Sequence, residues 1–495
     1  MICISINQES RRLALVDMLN AARQCDLLEV RLDRFEKAPD LKDIFANKPK
    51  PVIMSCRRTQ DGGYWEGSEE ERLALLRQCI ISKADYVEIE VDAADQIRRF
   101  PPTQRVISYT NMQETPSDIS DIYEECLKKS PDVVKLVTLA RTPEEAWPLV
   151  QIVAKQRVPT VVVGLGKPGL MLSILGKKIG APWTYAALER GMEAYPGQAT
   201  VHDLNAVYHY GVIDKSTRLI GVTGFGEPEY VTAAVLNGAL AHLALPARCL
   251  PMGVGNVKLF RRVMEAVKLA GAVVDPDHQE VLKEIAGELH GVAKQVQAVD
   301  MLLHKPEGWH GFHTGFQMVL HGLTSILQSK FGENPLNGRI LVLAGLKGLA
   351  RPLAEEIQRR GGSVILASHL KKAGQQMAQQ LGCRYIQFEA LYSTMHDVLI
   401  VCDAEKEEAA GRTTAVHAGY LKPGMVVLDL TTGGRPSTLI KQARDRGCLV
   451  LDTRQMLLDQ LELQAKLITG KQVPREVLVK ALPELPDEPE EQEDA

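Results

Sequence analysis

The segments DYVEIEV (85–91), RVISYT (105–110) and DVVKLV (132–137) decide the fold of the first half of this sequence. Each is a short run rich in valine and isoleucine, and amphipathic stretches predict helices at 68–83 and 117–128. Runs that are apolar almost throughout, with helices between them, are typical of parallel strands buried on both faces. We therefore expect a parallel sheet covered by helices.

The alternation of strands and helices continues along the sequence on both sides of these segments. Further strands are predicted at MICISI (1–6), LLEVRLD (27–33), PVIMSCR (51–57), PTVVVGL (159–165) and PWTYAAL (182–188), with helices at 143–156 and 200–211. Eight such strands, most of them followed by helices, predict an N-terminal (β/α)8 TIM barrel. In that fold the chemistry lies at the carboxyl ends of the strands.

Polar residues stand in or just after these apolar strands. They are Glu29, Arg31, Arg57 and Lys135. Lys135 lies among valines and a leucine, where desolvation would lower the pKa of its ammonium and give a nucleophilic amine. Two plainer interpretations stay open. Lys135 could extend its amine from a strand end to water, and the E-x-R pair could be a surface ion pair.

The second half begins with another strand, TRLIGVTG (217–224). Helices are predicted near 228–243 and 256–269, then a long helical stretch at 279–303 and a helix at about 314–331.

The segment RILVLAGLKGLARPLAEEIQRRGGSVILAS (339–368) then reads as strand, glycine-bearing turn, helix and strand. This is a βαβ unit of the dinucleotide-binding type. Strands follow at DVLIVC (397–402), GMVVLDL (424–430) and CLVLDT (448–453), and a helix at 454–470. The fold class expected for the whole chain is therefore α/β, with a barrel followed by a two-lobed α/β unit that contains a Rossmann-type lobe.

Composition narrows the functional class. The 495 residues carry a net charge of −4, which gives no basic surplus for binding nucleic acid or an anionic membrane. No apolar run approaches the 18 or more residues of a membrane span. The nine cysteines form no CxxC pair, and the N-terminus lacks the features of a secretion signal. We expect a cytoplasmic protein with reduced thiols and a small-molecule ligand.

Residues 1–212 resemble type I 3-dehydroquinate dehydratase, through EVRLDR, SCRRTQDGG, VVKLVT, GKPGLM and PGQATVHDL. Residues 217–480 resemble shikimate dehydrogenase more weakly, and the order matches the fused bifunctional enzyme of the shikimate pathway. The resemblance implies a barrel at 1–214, a substrate-binding lobe at 215–330 and a degenerate Rossmann-like lobe at 331–480. An acidic, disordered tail is expected at 481–495.

The resemblance also implies roles for individual residues. Lys135 takes the position of the lysine that forms an imine with the substrate ketone. The residues implied to bind substrate are Glu29, Arg31, Arg57, Asp61 and Gln198. Asp61 stands where the family usually has glutamate.

Other positions of the barrel depart from the family pattern. Thr110 and Asn111 stand at the histidine and aspartate of the general acid–base motif, and a threonine hydroxyl has no pKa near 7. Leu172 and Ser173 occupy the place of the arginine that holds the substrate carboxylate, and Ala194 replaces a serine of the lid. These departures predict weak or lost dehydration.

The second half departs further from its family. His278 and Gly315 align with the catalytic lysine and aspartate, and Asp300 replaces a substrate-binding asparagine. Gln460 and Gln464 resemble a retained substrate-side pattern. Loss of the native dehydrogenase activity is expected.

The nucleotide-binding loop AGLKGLAR keeps two glycines of the family's fingerprint, Gly345 and Gly348. These are the candidate cofactor-binding residues, and NADP is the cofactor that the resemblance implies. Leu346 and Lys347 between the glycines would crowd a pyrophosphate. The motif that grips the 2′-phosphate reads Ser-His-Leu at 368–370, and the loop over the nicotinamide reads CDAEKEE. No cofactor is therefore assigned.

Two classes of function remain open from the sequence. The first is a Schiff-base lyase that acts on 3-dehydroquinate or on another ketone. The second is a non-catalytic relative that serves as a scaffold or ligand sensor. The expected ligand is a small polyol or keto acid, and both a protein partner and a homo-oligomer are left open. No metal, nucleic acid or membrane is expected.

Overall fold

The computed structural model describes residues 1–402, 406–407, 412–413, 416–431, 437–451 and 453–483. The chain forms two compact units, Met1–Ala270 and Gly271–Ala495. The predicted boundaries at 214/215 and 330/331 stay predictions. Most of the predicted tail and part of the CDAEKEE loop lie outside the described residues.

Eight parallel strands form the first sheet, in the order β7-β6-β5-β4-β3-β2-β1-β8, which is a nearly closed barrel. The strands are β1 (Ile2–Ile6), β2 (Leu27–Arg31), β3 (Val52–Ser55), β4 (Tyr86–Glu90), β5 (Gln104–Asn111), β6 (Val133–Leu139), β7 (Thr160–Leu165) and β8 (Thr184–Ala186). Each coincides with a predicted strand. The expectation of a (β/α)8 barrel is confirmed.

Six helices belong to the barrel: α1 (Arg11–Ala21), α2 (Leu41–Asn47), α3 (Glu69–Ile81), α4 (Ile119–Lys128), α5 (Pro143–Ala154) and α6 (Gly169–Ile179). Local sequence explains where they begin. At α3, the Ser68 hydroxyl accepts from the Glu71 amide while the Glu71 carboxylate accepts from the Ser68 amide. This reciprocal capping satisfies two amides that have no partner within the helix.

The predicted helix at 200–211 is confirmed over 201–207, which ends in the helical turn Asp203–Val207. Its continuation to 211 is wrong, because a separate short turn, Tyr210–Val212, follows. Between them His209 has a φ of +48°, in the left-handed region, and a non-glycine residue there ends a right-handed helix.

The first unit continues beyond the barrel with β9 (Arg218–Thr223), α7 (Glu227–His242), β10 (Ala247–Met252) and α8 (Val257–Ala266). The two strands pair in parallel. Asn237 of α7 is fully buried, and its amide donates to the carbonyl oxygens of Val207 and Cys249 at 2.9 and 3.0 Å. The side chain thus fastens α7 to β10 and to the chain that follows the barrel.

The predicted long helix at 279–303 is also wrong. The segment contains α9 (Gln279–Leu282), β12 (Glu288–Leu289), α10 (Val292–Val296) and the start of β13 (Met301–Lys305), and it follows β11 (Leu269–Val273). Gly291 has a φ of +53° and Gln297 a φ of +55°, which break the helical path twice. β13 pairs antiparallel with β11 and with β14 (Gly308–Phe312), and β12 pairs in parallel with β14.

The last sheet has the strand order β17-β16-β15-β18-β21-β22, which is that of a Rossmann-type sheet. Its strands are β15 (Ile340–Ala344), β16 (Ser363–Ser368), β17 (Arg384–Gln387), β18 (Val398–Val401), β21 (Val426–Asp429) and β22 (Leu449–Val450), while β19 (Lys406–Glu407) and β20 (Arg412–Thr413) form a separate pair. The helices are α11 (Gly315–Phe331), α12 (Ala350–Arg359), α13 (Lys371–Leu381), α14 (Thr438–Asp445), α15 (Thr453–Thr469) and α16 (Arg475–Lys480). The predicted Rossmann-type lobe is confirmed. Among the described helices, none combines the length and the hydropathy needed to cross a bilayer.

The close approach of α6 to β7 yields a first prediction. A Cβ on Gly169 would lie 1.7 Å from the carbonyl oxygen of Gly164, so Gly169→Ala should lower the free energy of unfolding by about 1–3 kcal/mol or more. Urea unfolding of both proteins measures the loss. The control is Gly211→Ala, because Gly211 is exposed and has nothing within 4 Å of its Cβ position. Equal midpoints for the two variants would contradict this packing.

Candidate active site in the barrel

The barrel interior is built in layers by the two-residue period of its strands. An apolar layer includes Leu27, Ile53, Val106, Val133 and Trp183. Two positions further along several of these strands, and on β4, the side chains are polar or aromatic: Glu29, Glu88, Ser108, Lys135 and Tyr185. Because alternate residues face the interior, the apolar layer forms the floor on which the polar layer stands.

Lys135 lies at the centre of the polar layer and is 1% exposed. Its Nζ is 2.8 Å from Oε2 of Glu88 and 3.2 Å from Oε1 of Glu29. The ring centroid of Tyr185 lies 4.3 Å from the same nitrogen. The interpretation of Lys135 as a side chain that extends to water is therefore wrong, because its amine ends among buried carboxylates.

Glu29 connects three groups of the site. Its carboxylate accepts from the Ser5 hydroxyl at 2.5 Å and from Nη2 of Arg57 at 2.7 Å, in addition to Lys135. Burial alone would raise the pKa of Glu29, but the charges of Arg57, Lys135 and Arg31 outweigh it and hold that pKa well below its ordinary value. Glu29 is consequently an anion that bridges Lys135 and Arg57, not part of a surface ion pair.

The two arginines of the site both have acidic partners. Arg57 lies 2.7 Å from Glu29 and 3.6 Å from Glu88, and burial, which lowers its pKa, is outweighed by these carboxylates. Arg31 donates to both carboxylate oxygens of Asp33, at 3.0 and 2.6 Å. The same carboxylate accepts from the backbone amides of Arg57 and Tyr64, both at 3.1 Å. Asp33 therefore holds the chain after β2 against the chain after β3.

Asp61 and Gln198 line the cavity and are both buried. Oδ2 of Asp61 accepts from Nε of Arg58 at 2.6 Å, and the carboxylate lines the cavity. Gln198 is 8% exposed, and its Oε1 accepts from the Ala194 amide at 2.7 Å. This bond closes the 194–198 turn over the barrel, with the amide group of Gln198 at the cavity wall.

A cavity of about 80 Å³ stands above Lys135. All the predicted site residues of the barrel line it, and with them Ser5, Gly62, Thr110, Met112, Val137, Val163, Leu165, Tyr185, Ala194 and Tyr195. Among the described residues, nothing accepts from or donates to the buried hydroxyl of Tyr185. A polar group of a ligand in the cavity could supply that hydrogen bond.

The departures noted in the sequence fall at distinct places. Thr110 lies near the carboxyl end of β5 and lines the cavity. Leu172 and Ser173 are buried in α6 and do not line it. His202 is exposed and outside the cavity lining, so it does not substitute for a histidine at position 110.

In the second unit, Asp300 is the centre of a buried cluster. Its carboxylate accepts from the Thr314 and Gly315 amides at 2.7 and 2.6 Å and from the Thr314 hydroxyl at 2.8 Å. Gln460 donates to it at 3.3 Å, and Nδ1 of His313 lies 3.5 Å away. Gln464 donates to the Thr314 hydroxyl at 3.1 Å. Most of these polar groups bond to one another at the start of α11, but Oε1 of Gln464 is buried without a hydrogen-bond partner among the described residues.

The predicted nucleotide loop joins β15 to α12, as the strand–turn–helix pattern requires. Gly345 and Gly348 have φ values of +98° and +58°. At the end of β16, however, the ring of His369 packs against Phe388 at 4.6 Å and faces Glu389 at 3.4 Å. Because His369 faces the Glu389 carboxylate, a 2′-phosphate placed here would meet a second negative charge. This strand end therefore does not fit NADP.

Comparison with known proteins agrees with this architecture. Residues 2–214 match the family model described as type I 3-dehydroquinase. The 3-dehydroquinate dehydratase of Methanopyrus kandleri is 33% identical over 184 residues, 36% of this chain and 84% of that relative. The chain belongs to the type I 3-dehydroquinase family.

The similarity extends past the 3-dehydroquinase barrel. The chloroplastic bifunctional 3-dehydroquinate dehydratase/shikimate dehydrogenase of Arabidopsis thaliana is 25% identical over 475 residues, 91% of this chain and 79% of the relative. The solved dehydroquinate dehydratase and shikimate dehydrogenase from S. pombe shares 18% identity, over 97% of this chain and 98% of that one, with a TM-score of 0.42. The Arabidopsis relative confirms the resemblance to a bifunctional protein of this kind.

Three residues of the cluster around Lys135 were missed by the sequence reasoning. They are Ser5, Glu88 and Tyr185, which contact Glu29 or Lys135. The signal for Glu88 was present, because Glu88 and Glu90 interrupt the apolar strand DYVEIEV at a spacing of two. Charged residues inside a strand that is buried on both faces require partners, and Lys135 is the obvious one.

Acid should weaken the barrel through Glu29. Because the folded-state pKa lies below the unfolded one, the ion pairs stabilise the fold above about pH 4.3, and this contribution is lost as the pH falls further. Glu29→Gln should lower the unfolding midpoint in urea at pH 7, and the variant should lose less stability between pH 5 and pH 3 than the native chain. The exposed Glu70→Gln is the control, and a Glu29 variant as acid-sensitive as the native chain would refute the assignment.

Proposed function

We propose that the barrel binds a hydroxylated cyclic ketone of the 3-dehydroquinate type and forms an imine with it at Lys135. The observation that carries this proposal is the position of Lys135: its buried amine lies beneath a polar cavity, within 3.2 Å of two carboxylates. An amine at the base of a cavity is placed to attack a carbonyl group bound above it.

The neighbouring carboxylates support the first step of imine formation. Attack requires the neutral amine, and Oε2 of Glu88, 2.8 Å from Nζ, can accept the ammonium proton. The amine nitrogen then bonds to the carbonyl carbon, the carbonyl oxygen leaves as water after protonation, and the imine remains. Gln198, Arg57 and the Tyr185 hydroxyl offer donors at the cavity wall for the ligand's oxygens.

Elimination of water from the bound substrate is expected to be slow. It requires a base that removes a proton from carbon and an acid that protonates the leaving hydroxyl. Thr110 lines the cavity where the family resemblance places a histidine, and its hydroxyl does not titrate near pH 7. General acid–base catalysis is worth about 10²–10⁴ in rate, so dehydration should fall by a factor of this size relative to a histidine-bearing relative.

The charges at the cavity favour a ligand without a strongly anionic group. Arg57 is paired with Glu29, and Arg31 with Asp33. Leu172 and Ser173, at the position implied for the carboxylate-binding arginine, lie away from the cavity. A neutral polyhydroxylated ketone is therefore the alternative substrate class.

Borohydride trapping tests the imine. The full chain is incubated with 3-dehydroquinate, and in parallel with the same ketone lacking its carboxylate, then reduced and weighed intact by mass spectrometry. The expected result is an adduct of the whole substrate, reduced at the imine, on the peptide that contains Lys135. Lys135→Met should abolish it, and Lys167→Met, which removes an exposed lysine, should not.

Two outcomes would contradict this account. An adduct at Lys135 that is lighter by one further water would support the imine but contradict the expectation of slow dehydration. No adduct with either ketone, while circular dichroism shows Lys135→Met and the native chain equally folded, would favour the second candidate, a non-catalytic scaffold or sensor. That candidate is supported by Thr110, because its hydroxyl cannot replace the histidine that the family resemblance places at this position.

We further propose that the second unit does not oxidise shikimate with NADP. His278, at the position implied for the catalytic lysine, is hydrogen-bonded to Asp275 at 2.8 Å, and Gly315 has no side chain to titrate. The expected result is no NADPH formation, by absorbance, from shikimate and NADP over a blank without protein. Turnover that survives removal of trace contaminants, and that disappears in His278→Ala, would contradict this expectation.

A further inference from the structure

Two histidines and a glutamate meet on one face of the small sheet in the second unit, far along the chain from Lys135. Glu288 and His290 lie two residues apart at β12, and His310 is the residue of β14 that pairs directly with Glu288. The backbone of His290 continues the pairing, because its amide donates to the Gly311 carbonyl at 2.9 Å. The period of the strands therefore places all three side chains on the same face.

The three side chains present their donor atoms to one point. Nε2 of His290 is 2.7 Å from Nδ1 of His310, and Oε2 of Glu288 is 3.9 and 3.7 Å from these two nitrogens. The two nitrogens share a hydrogen bond. The point equidistant from the three atoms lies in their plane, about 2 Å from each, which is the length of a zinc–nitrogen or zinc–carboxylate bond. An ion that replaces the shared proton therefore requires only a small opening of the cluster to become tetrahedral.

The surroundings restrict both imidazoles. The ring of His290 stacks on that of Phe312, at 4.7 Å, and its centroid lies 5.0 Å from that of His310. The other ring nitrogen of His310, Nε2, faces the Glu307 carboxylate at 3.7 Å, and His310 is 7% exposed. At 3.7 Å the two atoms do not share a hydrogen bond. A closer approach of the Glu307 carboxylate would give the usual outer-shell arrangement of a metal-binding histidine, in which a carboxylate accepts from the nitrogen that does not bind the metal.

We propose that Glu288, His290 and His310 form a binding site for a zinc-type divalent cation. Two imidazole nitrogens and one carboxylate oxygen suit zinc, while calcium and magnesium prefer oxygen ligands alone. The exposed side of Glu288 leaves room for water as a fourth ligand. The ion would fasten the two-residue strand β12 to β14, and this role is independent of the function proposed for Lys135.

The test is metal binding by the full chain after treatment with a chelator. Cobalt(II) serves as the spectroscopic probe and zinc(II) competes for the site; we expect one ion per chain and the intense visible absorption of a tetrahedral cobalt centre. His290→Gln and His310→Gln should each weaken binding by more than the roughly 10- to 100-fold that loss of an outer-shell partner costs. Glu307→Gln should fall within that range.

His304→Gln is the matched control. His304 lies on the neighbouring strand β13 and packs on Trp309 at 4.9 Å, outside the cluster, so this variant should bind cobalt as the native chain does. Zinc should also raise the melting temperature of the native chain and of His304→Gln but not of His290→Gln, whose fold is checked by circular dichroism. Binding that is absent, or that persists in both cluster variants, would overturn the proposal. Because borohydride trapping at Lys135 is measured separately, failure of either proposal can be told from failure of the other.

Discussion

The buried ammonium of Lys135 is the group on which the arrangement of the barrel interior depends. A charge inside a protein is tolerated only when opposite charges and hydrogen bonds replace water, and removal of one partner from a buried pair typically costs about 3–5 kcal/mol. Glu88 and Glu29 supply those opposite charges, and Arg57 balances the second carboxylate. The four side chains lie on or just after four different strands. They can pair only if those strands place them at the same level of the barrel.

The barrel meets this requirement through register. Parallel pairing aligns Ser5 with Glu29 on β1 and β2, and Ser108 with Lys135 on β5 and β6. A one-residue slip in any of these strands would turn its polar residue outward and leave a charge without a partner. The charged layer therefore specifies the register of the barrel strands. Side chains of the same layer line the cavity above it and make its walls polar. Stability of the fold and the imine chemistry proposed for Lys135 therefore depend on the same residues.

The second unit shows the same constraint with a different result. Asp300 is buried and its carboxylate is satisfied by the first amides of α11, by Thr314 and by Gln460. An anion at a helix N-terminus is stabilised by amides that have no partner within the helix. The contacts of Asp300 thus hold the start of α11 in place.

Short-range patterns in the sequence were enough to predict the eight barrel strands and the order of the two halves, because apolar runs that alternate with helices are local signals. Family motifs, which are also local, were enough to predict the residues of one site: Lys135, Glu29, Arg31, Arg57, Asp61 and Gln198. The helix predicted at 200–211 ends early, and the one predicted at 279–303 is absent. In both segments single left-handed residues interrupt the helical path, and the spacing of apolar residues in the sequence does not reveal such a break. The tertiary structure alone decided three contacts: the ion pair of Glu88 with Lys135, the ion pair of Arg31 with Asp33, and the cluster of Glu288, His290 and His310. These contacts join residues from different strands, and a distance between side chains exists only after strand pairing and register have been chosen.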